Sequence, residues 1–79
     1  MSDLVREVLD ILKEVGCSID YVDLHKSLFL EIGIGSLQFV QLLVLIEEKY
    51  NFEFESEDLI IDETITPQGI IRIIDKHIR

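Results

Sequence analysis

A chain of 79 residues with 48% hydrophobic and 29% charged side chains is globular in composition and has room for one domain, residues 1–79. Sixteen acids against seven bases give a formal charge of -9. Such a surface repels nucleic-acid backbones and anionic membranes and favours basic patches on partner proteins. Cys17 is the one cysteine, so no internal disulfide and no cysteine-rich zinc site is possible, and the longest apolar run, residues 42–46, falls far short of a membrane span. A cytoplasmic protein without a signal peptide is the expectation.

The charge is uneven. Residues 1–46 carry net -4, residues 47–63 net -7 and residues 64–79 net +2. The acidic block is interleaved with Tyr50, Phe52, Phe54 and Leu59, so it is not an unfolded tail.

In chain order, Ser2 is an N-cap before a stripe of Leu4, Val8, Ile11, Leu12 and Val15, widened by Val5 and Leu9. Gly16 ends that helix, expected over 3–15. Residues 16–35 follow neither a helical nor a strand period, and they read as a long packed loop with one short turn near 23–28. After Gly33-Ile34-Gly35-Ser36 a strong helix is expected over 36–50, ending near Asn51. Phe52-Glu53-Phe54 alternates like a strand but has no partner segment and reads as an extended linker. Ser56 caps a short helix near 57–61. Thr66 and Pro67 then open a last helix over 67–78, with Ile70, Ile71, Ile73, Ile74 and Ile78 as its buried stripe. The expectation is all-α: a small antiparallel four-helix bundle with a long first loop and a short third helix.

No phosphate-binding glycine loop, paired-histidine zinc motif or calcium loop is present in the sequence. His25 and His77 read as surface residues, and Cys17 as a small loop or core residue. With no pair of catalytic groups, the chain is not expected to be an enzyme.

Ser36 follows two glycines at the start of the strongest helix. One reading is an N-cap hydroxyl. The other is a modification site, where an attached phosphodiester meets the positive end of a helix dipole.

The segment Leu30-Glu31-Ile32-Gly33-Ile34-Gly35-Ser36-Leu37 resembles the phosphopantetheine attachment motif of acyl and peptidyl carrier proteins, which reads Leu-Gly-x-Asp-Ser-Leu. Val40, Leu42, Ile46, Glu47, Glu48 and Tyr50, the acidic stretch 53–58, Thr64-Ile65-Thr66 and the isoleucine-rich last helix extend the likeness over the chain. The resemblance implies an acyl-carrier-like four-helix fold. It implies a 4′-phosphopantetheine arm, taken from coenzyme A, on Ser36 between Gly35 and Leu37. The arm's thiol would hold acyl, aminoacyl or ketide groups as thioesters for a polyketide, nonribosomal peptide or fatty-acid pathway. Implied partners are a phosphopantetheinyl transferase and acyl-loading, condensing and modifying enzymes, met by a free-standing monomer. One departure stands out: Gly35 occupies the place of the motif's Asp. The alternative is therefore a degenerate, unprimed carrier that acts as a helical interaction module.

Wound at about 100° per residue, the second helix directs Phe39, Val40, Leu43, Ile46 and Tyr50 to the core and Gln38, Gln41, Glu48 and Lys49 outward. Leu37, Gln41, Val44 and Glu48 form a ridge which, with Leu45 and Glu47, is the expected partner-binding face. It is less acidic and more apolar than in fatty-acid carriers.

Overall fold

Three α-helices form among the described residues, which are 3–55, 58 and 64–78 of the computed structural model. They are α1 (Asp3–Glu14), α2 (Ser36–Tyr50) and α3 (Pro67–Ile78), and no strand occurs among those residues. The Ser2 and Ser56 caps and, apart from Asp58, the helix expected over 57–61 lie outside the described residues. Residues 52–55 form neither helix nor strand, consistent with the expected linker.

Most of the first stripe is buried as its spacing predicts: Val8, Leu9, Ile11, Leu12 and, just past α1, Val15 are buried, while Leu4 and Val5 are half-buried. Val8, Ile11, Leu12 and Val15 share one core with Leu28, Ile34, Leu42, Ile46, Phe54, Ile70, Ile71 and Ile74. Helix α1 packs against both α2 and α3. Side-chain bonds set the direction of α2. Gln38, in its first turn, donates to the Val15 carbonyl at 2.8 Å, while the Tyr50 hydroxyl, in its last, donates to Glu7 at 3.0 Å. The start of α2 therefore lies at the end of α1 and its end near α1's beginning, an antiparallel pair. Helix α3 begins beside the long loop, through Gln68 N–H to the Leu24 carbonyl at 3.0 Å, and ends with His77 stacked on Phe52 at 4.6 Å.

Helix α1 stops in a Schellman motif. Gly16 sits at φ +94°, its N–H reaching the Lys13 carbonyl at 3.0 Å, and the Cys17 N–H reaches the Leu12 carbonyl at 2.8 Å. A Cβ on Gly16 would also lie 3.2 Å from the Gln38 amide nitrogen. Gly16→Ala is expected to destabilise the fold by about 1–2 kcal/mol, the left-handed cost for an L-residue. Urea denaturation measures it.

The loop is more ordered than its sequence suggests. A 3-10 turn at Tyr21–Asp23 is held by reciprocal bonds, Tyr21 N–H to Asp20 at 2.8 Å and Asp20 N–H to Asp23 at 3.0 Å. A π turn follows at Leu28–Ile32, capped by Ser27, whose hydroxyl accepts the Leu30 N–H at 3.1 Å while Glu31 accepts the Ser27 N–H at 2.9 Å. These two turns replace the single one expected at 23–28. They arise from local side-chain caps, which leave no hydrophobic period to read. The loop is tied down by Leu28 N–H to the Ile65 carbonyl at 2.8 Å.

Two other expectations are corrected. Val40 is 55% exposed, and Leu42, fully buried, takes its place in the core. Val40 lies about 100° beyond Phe39, past the edge of the arc centred between Phe39 and Ile46. Ile78 is also exposed, because the inward place one turn beyond Ile74 belongs to His77.

Candidate functional site

The chain enters α2 by a plug and a turn. Gly33, at φ +86°, closes the π turn, and buried Ile34 donates its N–H to the Leu28 carbonyl at 2.8 Å. The next three residues, Gly35, Ser36 and Leu37, are all exposed. Gly35 is the N-cap residue, with extended φ -86° and ψ 165°, and Ser36 is the first helical residue. This corrects the reading of Ser36 as an N-cap. Its hydroxyl has no hydrogen-bond partner among the described residues, and the residue is exposed.

The site's electrostatics come from the backbone. The first N–H groups of a helix have no intrahelical acceptors and carry partial positive charge, and no acid stands in the first turn of α2 to neutralise it. An exposed, uncommitted hydroxyl beside that charge fits an attached phosphodiester. Ser27, the nearest serine in sequence, is buried and already bonded to the Leu30 N–H.

Glycine at 35 is not demanded by conformation. Its φ suits any residue, and a Cβ there would lie 3.5 Å from Gln38, an ordinary contact. Gly35→Asp is expected to stabilise the fold by about 0.3–1 kcal/mol, through an N-cap carboxylate at the positive helix end. Thermal melts of the two proteins would show a rise of a few degrees.

Of the ridge residues, Leu37 is 72% and Val44 46% exposed, and Gln41 and Glu48 are also exposed. Gln41, Val44 and half-buried Leu45 line an open groove of about 450 Å³ with Val40, Glu14 and Val15. Val44, Glu47 and Glu48 line a second, of about 560 Å³, with Asn51, Phe52 and Glu53. Leu37 stands apart from both, next to Ser36. Glu47 is half-buried, and its carboxylate accepts the Phe54 N–H at 2.8 Å.

Sequence reasoning missed two side chains near these features. Gln38, assigned outward, is half-buried and bonded on both sides, its oxygen accepting the Gly35 N–H at 2.9 Å. Its position three residues into the helix, where a capping-box glutamine belongs, was the available signal. His77 is not a surface histidine: it meets the Asp58 carboxylate at 2.6 Å, which also takes Lys76 at 2.6 Å. Those partners are 18 and 19 residues apart, beyond any helical register. Cys17 is buried in the core, and burial pushes its thiol up, so it is the structural residue expected.

Comparison with known proteins agrees with this geometry. The family model described as the phosphopantetheine attachment site matches residues 3–74. The D-alanyl carrier proteins of Bacillus cereus (strain B4264), of B. cereus (strain AH187) and of Bacillus anthracis (strain CDC 684 / NRRL 3495) are each 36% identical to this chain over 78 residues, spanning 96% of it and 98% of the relative. No solved structure matches the chain significantly. No helix among the described residues is long and apolar enough to cross a membrane. A whole-length match to proteins of this kind, on an all-helical fold, places the chain in the phosphopantetheine-binding carrier family, whose members hold acyl groups on a covalent 4′-phosphopantetheine and leave the chemistry to other enzymes.

Proposed function

We propose that Ser36 is the attachment point and that the cargo is an aminoacyl group. The observation that supports the site is the exposed, unbonded Ser36 hydroxyl at the positive end of α2, between a glycine and an exposed leucine. In priming, the Ser36 oxygen displaces the nucleotide phosphate of coenzyme A. An O–P bond forms, the pyrophosphate P–O bond breaks, and the hydroxyl proton passes to the transferase. Once attached, the arm supplies a thiol that holds cargo as a thioester. This chain contributes the hydroxyl, the helix end that favours the phosphodiester, and a docking face. The name shared by the relatives, D-alanyl carrier protein, supports a small amino acid over a ketide or a long acyl chain. Leu37, Gln41, Val44, Leu45, Glu47 and Glu48 then form the face offered to the transferase and the loading enzyme. Exposed apolar side chains beside acids suit a partner surface of basic and apolar residues.

Intact-mass spectrometry tests the site. With coenzyme A and a broad-specificity phosphopantetheinyl transferase, the wild-type chain is expected to gain the mass of one arm and Ser36→Ala none, with unchanged circular dichroism. Equal gain by both proteins would sink the assignment. No gain by a folded wild type would favour the unprimed interaction module. Offering the primed chain to D-alanine-activating and fatty-acid-activating enzymes then reads the cargo. A D-alanyl adduct is expected, and a fatty-acyl adduct alone would overturn the aminoacyl reading.

A further inference from the structure

Gln38 uses both halves of its amide. The Gly35 N–H can only donate, so it faces the amide oxygen at 2.9 Å; the Val15 carbonyl can only accept, so it faces the amide nitrogen at 2.8 Å. One side chain thereby ties the residue before Ser36 to the end of α1. Gly16 leaves the space for it, since a Cβ at 16 would press on the same amide nitrogen at 3.2 Å. Gly35 has no side chain with which to cap α2, and glycine is the residue least able to hold its own backbone.

We infer that Gln38 is a positioning residue for arm attachment: it fixes the Gly35–Ser36 backbone, and with it the Ser36 hydroxyl, in place of the side-chain cap that Gly35 cannot supply. The inference rests on the reading of Ser36 as the attachment point. It requires an amide. Leucine removes both bonds, and glutamate keeps an acceptor for Gly35 but turns a carboxylate oxygen toward the Val15 carbonyl.

The test is steady-state priming by a phosphopantetheinyl transferase with coenzyme A, on wild type, Gln38→Leu, Gln38→Glu and the double variant Gln38→Leu/Gly35→Asp. Each is also checked by thermal melting and by hydrogen exchange at the residue 35 amide. The expected result is a fall of about three- to tenfold in kcat for both single variants, the scale of one or two lost hydrogen bonds, with KM unchanged. Exchange at Gly35 should quicken in Gln38→Leu. In the double variant the aspartate caps the helix and should restore kcat. A rise in KM with kcat unchanged would make Gln38 a contact of the transferase and overturn the inference. So would a fall in melting temperature with kcat and KM both unmoved. Wild type that takes no arm, or takes it elsewhere than Ser36, would remove the underlying reading and the inference with it.

Discussion

Leu28→Ala is expected to destabilise the protein by about 2–5 kcal/mol, the range for emptying a buried leucine site. Leu28 is fully buried, yet it belongs to the long loop. Its N–H is bonded to Ile65 and its carbonyl accepts the Gly33 and Ile34 N–H groups, so one residue links the segment before α3, the core and the entry to α2. A domain of this size has only several kcal/mol in hand, so the variant should melt roughly 10–30 °C lower or fail to fold. Leu30→Ala, at a site 61% exposed two residues on, is the control and should be near neutral. Equal melting temperatures for the two variants would mean that Leu28 does not anchor the loop. Because Ile34 hangs from the Leu28 carbonyl, the same substitution should also loosen the Gly35–Ser36 backbone.

Asp58→Asn is expected to cost about 1.5–3 kcal/mol at neutral pH, the range for hydrogen bonds to a charged group. The carboxylate is buried, bonded to Lys76 and His77 at 2.6 Å and to the Glu55 N–H at 3.1 Å. Lys76 is half exposed, so solvent screens its share of the stabilisation. Lys76, then His77, holds the Asp58 carboxyl well below its ordinary value of 3.8. A depressed folded value means that the unfolded chain takes up the proton first. The stabilisation is therefore complete above about pH 5 and is lost as pH falls through the ordinary range toward the folded value. Urea denaturation should show wild type well ahead of the variant at pH 7 and the gap narrowing below pH 4. A gap that stays constant down to pH 3 would rule out the ionised carboxylate as its source. His77 also stacks on Phe52, which meets Phe54 edge-on at 5.1 Å, so loss of Asp58 should loosen the segment after α2 as well.

The helices were legible because their signals are local and repeated. The α1 stripe, the glycine at 16, the Thr66-Pro67 start and Asn51 in a left-handed conformation each follow from residue type and spacing. Thr66 caps as its sequence predicts, its hydroxyl accepting the Gly69 N–H at 3.1 Å. The start of α2 at Ser36 was legible from the glycines before it, although which residue caps the helix was not: the cap is Gly35. What escaped depends on pairs distant in sequence. Gln38 meets Val15 across 23 residues, Tyr50 meets Glu7 across 43, and Asp58 gathers two residues from α3. A helical wheel assigns faces from one helix alone, so it could not show that the neighbouring α1 end takes up Gln38 while Val40 is left outside.

The central claim is that Ser36 carries the arm in the cell. Peptide mapping by mass spectrometry of the chain isolated from its native source tests it most directly. Trypsin releases residues 27–49, between Lys26 and Lys49, a peptide that holds two serines, Ser27 and Ser36. Fragment ions should place one phosphopantetheine on Ser36 and leave Ser27, buried and bonded to its own turn, unmodified. An arm on any other residue, or an unmodified peptide from cells whose other carriers are primed, would contradict the account.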